Sequence, residues 1–313
     1  MNTAESKRLT PTLIQKLEQL NSNELYIKRD DLLPFSFGGN KARKAMYFLE
    51  DIVRNHADCV VTYGSNSSNH CRIVANMAAS MKWKCVIIVP SSDEEKTFNS
   101  MMVSCFGAEI VLSPLSAVSQ TIDDVMASLK KQGYNPYFIM GGGHGNLGTQ
   151  AYVDCFSEIT DYENENNIKF DYIFHASGTG TTQAGLVCGK ILKKAKNEIV
   201  GISIARNKER GGKVVQDSVN EYMASLGSKE DFSEHIIFTD DYVLDGYGKY
   251  NSEIDDTIKD VLTKYGIPLN RTYTGKAFWG MKEYLKKFDI CGKKVLFIHT
   301  GGTPLFFDYL KET

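Results

Sequence analysis

The feature that most constrains this chain is a regular alternation of short, buried-type strands with helices. Cys59-Val60-Val61-Thr62-Tyr63 reads as a strand, and a helix follows from His70 to about Met81, with Ile73, Val74, Met77, Ala78 and Met81 on one face. Cys85–Val89, Glu109–Leu112 and Tyr137–Met140 are further strands, separated by helices near Glu94–Phe106 and over Ala117–Lys131. Gly141-Gly142-Gly143-His144-Gly145 interrupts the pattern, which then resumes. A helix runs from Leu147 to about Tyr162, and strands occupy Tyr172–His175, Ile199–Ile204 and Val295–Ile298. Helices are expected at Val214–Leu226, Ser252–Tyr265 and Lys276–Lys287, with a basic loop over Arg206–Gly212. Upstream lie an amphipathic segment, Leu13–Leu20, a strand, Leu25–Arg29, and a helix, Ala42–Arg54. Such alternation predicts an α/β fold of mostly parallel, doubly wound sheets flanked by helices.

The glycine-dense point is read as a domain junction. The expected division is a small domain over 42–145 and a large one combining 1–41 with 146–313. At 313 residues the chain is long enough for two ordinary domains. A net charge of −2 gives no electrostatic reason to expect nucleic acid or an anionic membrane as partner. No apolar run approaches the length of a membrane span, and Met1–Arg8 is polar, so a cytoplasmic location is expected. The seven cysteines are dispersed without a CxxC pair, and the six histidines lack metal-ligand spacing. Reduced thiols and no metal site follow.

Three loops carry chemistry. Ala176-Ser177-Gly178-Thr179-Gly180-Thr181-Thr182 alternates glycine with hydroxyls between a buried strand and a helix beginning at Gln183. It matches neither a Walker loop nor the dinucleotide fingerprint, so a single phosphate on a helix N-terminus is its natural ligand. Gly38-Gly39-Asn40-Lys41-Ala42-Arg43-Lys44 places an amine at a helix mouth, where the dipole and partial burial both lower its pKa. Alone, this stretch reads better as a helix start with a solvated basic face, and the other loops change that reading. Ser65–His70 offers hydroxyls and amides that bind carboxylates or phenolic oxygens, or that simply cap the next helix. With the strand-end turn His299-Thr300-Gly301-Gly302-Thr303-Pro304, these loops together fit one cofactor, pyridoxal 5′-phosphate.

The chain resembles the D-cysteine desulfhydrase and 1-aminocyclopropane-1-carboxylate deaminase family of fold-type II pyridoxal-phosphate enzymes. The resemblance begins at Thr10-Pro11-Thr12 and Leu25–Leu32 and continues through Gly38–Lys44, Ser68-Asn69-His70-Cys71-Arg72 and Ala176–Leu186. It ends with Tyr273-Thr274-Gly275-Lys276-Ala277 and His299–Pro304. It implies that Lys41 is the cofactor-linking lysine and that Asn69 holds the cofactor's phenolic oxygen. Ser68, with neighbouring amides, would bind the substrate carboxylate and join in proton transfer. Gly178, Thr179, Gly180, Thr181 and Thr182, helped by Lys44, would hold the phosphate. Tyr247 and Tyr273 would flank a small amino-acid substrate.

The deaminases resembling this chain carry a glutamate where it has Thr274 and a leucine where it has Thr303. A hydroxyl protonates the ring nitrogen less than a carboxylate does, and a weaker electron sink suits loss of a good β-leaving group. Thr274, Thr303 and His70 therefore match the desulfhydrase side. The implied reaction is α,β-elimination, most simply D-cysteine to pyruvate, ammonia and hydrogen sulfide. Cyclopropane deamination and elimination or replacement on another β-substituted amino acid are the alternatives. The resemblance also implies a homodimer. Two stretches depart from the family: Tyr63-Gly64-Ser65-Asn66-Ser67 replaces a glycine-rich approach with glutamine, and Gly143-His144-Gly145-Asn146 replaces Ser-Asn-Pro. His144 is expected to be a packing residue.

Overall fold

The computed structural model describes residues 11–92 and 96–311. The expectations placed on Met1–Arg8, Thr10 and Glu94 lie outside them. The chain opens with β1 (Ile14–Lys16), β2 (Glu24–Lys28) and α1 (Asn40–Arg54). The alternating region follows as β3 (Cys59–Tyr63), α2 (Asn69–Ser80), β4 (Lys84–Pro90), α3 (Phe98–Cys105), β5 (Glu109–Ser113), α4 (Val118–Lys131) and β6 (Pro136–Ile139). The second half runs α5 (Asn146–Glu165), β7 (Tyr172–Ser177), α6 (Thr181–Lys193), β8 (Glu198–Ser203), α7 (Lys208–Ser225), β9 (Ile237–Thr239), α8 (Ser252–Tyr265), α9 (Thr274–Lys287), β10 (Lys294–Ile298) and α10 (Thr303–Leu310).

The strands form two sheets, ordered β1-β2-β10-β7-β8-β9 and β5-β4-β3-β6. Every pairing is parallel except β1 with β2. Both faces of each sheet are covered, which is why the strands read as near-continuous apolar runs. In β7, Ile173 packs with α5 and α6 residues such as Phe156 and Leu186, while its neighbour Phe174 packs on the opposite face with Ile258 and Met281. In β3, Val60 faces Ile73 of α2 and Val61 faces Leu129 of α4. Removing each such side chain from water contributes about 1.5–3 kcal/mol. The α5–α6 contact is closer still, because a Cβ on Gly185 would lie 2.3 Å from the Thr149 carbonyl oxygen.

Four local readings change. The Leu13–Leu20 segment contributes β1, antiparallel to β2, with Ile14 opposite Lys28. The basic loop Arg206–Gly212 is helical from Lys208, because Asn207 Oδ1 caps α7 by accepting from the Arg210 N–H at 2.9 Å. The helix after the phosphate loop starts at Thr181, two residues before Gln183. The turn at His299–Pro304 runs into α10, with Pro304 near its start, where a missing N–H costs nothing.

Each sheet reverses its winding once. In the small sheet the reversal lies between β3 and β6, and in the large sheet between β7 and β10. Ligands of open α/β sheets bind outside the carboxyl ends of strands at such points. A buried ionic network holds α1 against the large sheet. Arg43 binds Asp30 through two contacts of 2.7 and 2.9 Å and reaches Glu158 at 2.6 Å, while Glu158 also takes the Lys28 amine at 2.6 Å. Tyr152 and Thr12 hydroxyls each donate to Asp30 at 2.7 Å. Burial alone would raise the Asp30 pKa, but the Arg43 charge and hydrogen bonds overcome it and hold the carboxyl well below its usual range.

Candidate active site

The two reversal points face one cavity of about 280 Å³. Strand ends supply most of its wall: Tyr63 and Gly64 at the end of β3, Gly141 and Gly142 after β6, Ala176–Gly180 at the end of β7 and beyond it, Ile204–Arg206 after β8, and Thr300 and Gly301 after β10. Lys41, Ser68, Asn69, His70, Gly178, Thr179, Gly180, Thr182, Tyr247 and Tyr273 all line it. Lys44, Thr181, Thr274 and Thr303 do not.

The turn that presents Lys41 is built on glycine. Gly39 has φ 91°, and a Cβ there would lie 2.6 Å from the Thr300 carbonyl oxygen, so only glycine lets α1 start against the β10 turn. The Asn40 N–H donates to that same oxygen at 3.0 Å. Lys41 is then in the first turn of α1, its Nζ donating to the Gly142 carbonyl at 2.9 Å. Burial pushes the Lys41 amine down to about 8. A lysine so placed has the free amine that carbonyl chemistry needs.

Ser68 caps α2 by accepting the Cys71 N–H at 3.2 Å and still borders the cavity. Capping and lining are thus joined in one residue. Asn69 has its Oδ1 occupied by Arg72 at 3.3 Å and Asn99 at 3.0 Å. Its amide NH₂ is the end left to donate toward a phenolic oxygen. His70 Nε2 lies 2.8 Å from Thr62 Oγ1, and that hydroxyl spends its one proton on the Ile139 carbonyl at 2.7 Å. His70 must therefore donate from Nε2, leaving Nδ1 as an acceptor. Burial, then the Lys41 and Lys44 charges, hold His70 well below its ordinary pKa, so the ring is neutral.

Opposite these groups the Tyr247 and Tyr273 hydroxyls bond at 2.5 Å, with their rings edge to face. Burial first, then the Tyr247 contact, raises the Tyr273 pKa well above the usual phenol value. Tyr273 therefore keeps its proton at neutral pH. Thr274, at the head of α9, is fully buried, and its Oγ1 accepts from the Asn270 N–H at 3.1 Å and Nδ2 at 3.0 Å. Asn270 Nδ2 also lies 3.3 Å from the carbonyl oxygen of Gly301, which lines the cavity, so Asn270 links Thr274 to that wall. Thr303 heads α10, two residues past Gly301 of the wall.

The phosphate loop opens α6, a 13-residue helix, where backbone N–H groups and the dipole favour an anion. Lys44 Nζ is buried without a hydrogen-bond partner, and burial followed by the Lys41 charge lowers its pKa well below normal. It lies against Gly143, beside His144, and His144 Nδ1 is 2.9 Å from Thr181 Oγ1. His144 is thus a packing residue with a specific contact, tying the 141–145 loop to the start of α6. A buried amine with no acceptor, beside a glycine and hydroxyl loop, fits a phosphate group. Sequence reasoning also passed over Asn40, whose Nδ2 donates to Thr182 Oγ1 at 3.1 Å, and Arg206, which gave only the signal of a basic loop.

Comparisons with known proteins agree with this geometry. The family described as "Pyridoxal-phosphate dependent enzyme" matches residues 6–301. A D-cysteine desulfhydrase of Yersinia pestis (strain Pestoides F) is 33% identical over 309 residues, covering 95% of this chain and 93% of that protein. The crystal structure of an ACC deaminase homologue superposes with a TM-score of 0.86 at 33% identity, covering 97% of this chain and 93% of that one. A hydrogen sulfide-producing enzyme from Fusobacterium nucleatum shares the fold, with a TM-score of 0.65 at 17% identity, covering 95% of this chain and 97% of that one. With a partly neutral lysine, a glycine and hydroxyl loop at a helix start and a protonated tyrosine around one cavity, and a family match over residues 6–301, the chain belongs to the pyridoxal-phosphate dependent enzymes, and its cofactor is pyridoxal 5′-phosphate.

Proposed function

We propose that this enzyme catalyses α,β-elimination from a small β-substituted amino acid, with D-cysteine plus water giving pyruvate, ammonia and hydrogen sulfide. The observation that carries the reading is one cavity bordered by an amine able to take a proton, Lys41, and a phenol that keeps one, Tyr273. Carried on the substrate's amine in place of Lys41, pyridoxal phosphate would supply an electron-withdrawing ring that acidifies the α-hydrogen and leaves the Lys41 amine free. The chain's own groups do the rest. Gly178–Thr182 and Lys44 hold the phosphate, and the Asn69 amide donates to the phenolic oxygen. Ser68 and the first-turn amides of α2 hold the substrate carboxylate beside neutral His70. Lys41 Nζ takes the α-proton. Tyr273 gives its phenolic proton to the departing sulfur, with Tyr247 holding Tyr273 in place.

Thr274 supports elimination over ring opening: a buried hydroxyl stands there and, among the described residues, no Asp or Glu lines the cavity. Thr274 and Thr303 are read as shaping the Thr300–Gly301 wall beside the cofactor ring. The 33% identity to a D-cysteine desulfhydrase points the same way. The cyclopropane deaminase reading has the solved ACC deaminase homologue behind it. A product assay separates the two. Purified enzyme with a visible band that borohydride bleaches, and that Lys41→Ala lacks, is expected to release pyruvate and sulfide from D-cysteine. A full band with no sulfide, and 2-oxobutanoate from the cyclopropane amino acid instead, reverses the choice.

The division into a 42–145 unit and the remainder belongs to the same proposal, supported by the separate small sheet and its own cores. A cytoplasmic location is supported by seven free thiols, five of them buried. No helix among the described residues is long and apolar enough to cross a membrane. A homodimer is supported by exposed Leu112 and Leu115, on and just after edge strand β5; light scattering at the monomer mass would remove it.

A further inference from the structure

We propose that Arg206 is an anion receptor of this cavity, taking an oxyanion supplied either by the cofactor's phosphate or by a second acidic group on the substrate. The inference rests on the cofactor-site reading above and adds a residue to it.

Arg206 belongs to the turn between β8 and α7, and the turn stands without its guanidinium. Ser203 Oγ donates to the Arg206 carbonyl at 2.7 Å and accepts the Ala205 N–H at 3.3 Å. Asn207 caps the helix that follows. The parallel register pairs Ser177 with Ser203, and the Ile204 N–H donates to the Ser177 carbonyl at 3.1 Å. The β8 turn therefore lies alongside the phosphate loop, and Arg206 borders the same cavity as Gly178, Thr179 and Gly180.

Arg206 Nη1 is buried and has no hydrogen-bond partner among the described residues. A guanidinium cannot shed its charge to escape burial and has only donors to offer, so an unanswered N–H there costs free energy that an incoming oxyanion would recover. Its titratable neighbours include the Tyr63 phenol, the Arg210 guanidinium and His144, and none of them supplies a carboxylate. No Asp or Glu lines the cavity among the described residues, while Lys41 and Arg206 both do. Among the described residues Lys44 Nζ is a second buried basic nitrogen without a hydrogen-bond partner, and His144 stands within electrostatic reach of both side chains. A planar fork of donors at the wall of a cation-lined cavity is a receptor for phosphate or carboxylate oxygens.

The test uses Arg206→Gln, Arg206→Lys and, as a control, Arg210→Gln. Titrations of apoenzyme with pyridoxal phosphate and with pyridoxal isolate the phosphate. Spectral titrations of holoenzyme with D-aspartate and with D-alanine isolate a second acidic group on the amino acid. Arg206→Gln is expected to weaken one charged ligand against its uncharged counterpart by about ten- to hundred-fold. Arg206→Lys should fall between, and Arg210→Gln should match the parent. A selective loss in the first pair assigns the phosphate, and in the second pair the substrate. Thermal melts should be unchanged, since the turn does not use the guanidinium. If Arg206→Gln binds pyridoxal phosphate as the parent does and discriminates neither pair less, the inference is overturned and the cofactor site still stands.

Discussion

The depressed Lys41 amine makes a quantitative prediction about cofactor capture. Only the neutral amine attacks the aldehyde, so the capture rate follows the deprotonated fraction. With the amine at about 8, roughly one molecule in ten is neutral at pH 7 and half are at pH 8. An ordinary lysine at 10.5 would offer roughly one in three thousand at pH 7, about 300-fold less. The sign follows from the cause: burial disfavours the ammonium form, so lowering the pH refills that form and slows capture. Stopped-flow mixing of apoenzyme with pyridoxal phosphate, read at the visible band between pH 6 and 9.5, should show a rate rising about ten-fold per pH unit below 8. It should level off above pH 8 to 8.5. A rate still climbing ten-fold per unit at pH 9.5 would refute the reasoning, because it would mean that the cavity does not desolvate Lys41. Mutating Gly142 does not test this, since its carbonyl, not its side chain, receives the amine.

Three further outcomes follow from other parts of the structure. Tyr273→Phe removes the proton held for the departing sulfur and is expected to lower kcat on D-cysteine about 10²- to 10⁴-fold with the visible band intact; β-chloro-D-alanine, whose leaving group needs no proton, should lose far less. Asp30→Asn leaves Arg43 facing a weaker partner inside the core, and should cost about 3–5 kcal/mol in urea unfolding, with no loss of stability showing that water reaches the network. Thr274→Glu places a carboxylate where Oγ1 now accepts two Asn270 bonds, so sulfide release should fall and the band should shift as the ring nitrogen gains a proton; an unchanged spectrum would place that residue away from the ring.

Much of the site was legible because its parts are local. The Gly178–Thr182 loop and the Gly39–Lys41 turn each encode a backbone path in consecutive residues, and glycine at φ 91° leaves few alternatives. What was not legible depends on contacts far apart in sequence. His144 reads as packing until the fold brings Thr181 within 2.9 Å, a separation of 37 residues. Arg206 reads as part of a solvated loop until the Ser177–Ser203 register sets it beside the phosphate loop. The neutral state of His70 depends on the Thr62 proton being spent on Ile139, which no pattern in the SNH stretch announces. β1 was missed as a strand because three residues at a sheet edge carry too little periodicity to distinguish it from a helical turn.

The departure at Tyr63–Ser67 gains meaning from where its atoms go. This stretch leaves β3 of the small sheet and is held from α3, with Thr97 Oγ1 donating to the Asn66 carbonyl at 2.8 Å and Asn99 Nδ2 to the Ser67 carbonyl at 2.8 Å. Ser67 Oγ then lies 3.4 Å from the Tyr247 hydroxyl, a residue carried by the other half of the molecule. Asn99 also holds Asn69 Oδ1, so the altered loop and the proposed cofactor contact share one anchor. A glutamine at position 67 would bring a longer side chain to the spot where Tyr247 now meets a short hydroxyl. Ser67 thus meets Tyr247, a residue that borders the cavity, from outside its wall. Ser67→Gln is expected to change the ratio of kcat/KM between D-cysteine and a bulkier β-substituted D-amino acid while leaving cofactor affinity as it was. Equal effects on both substrates would show that the contact only braces the two halves.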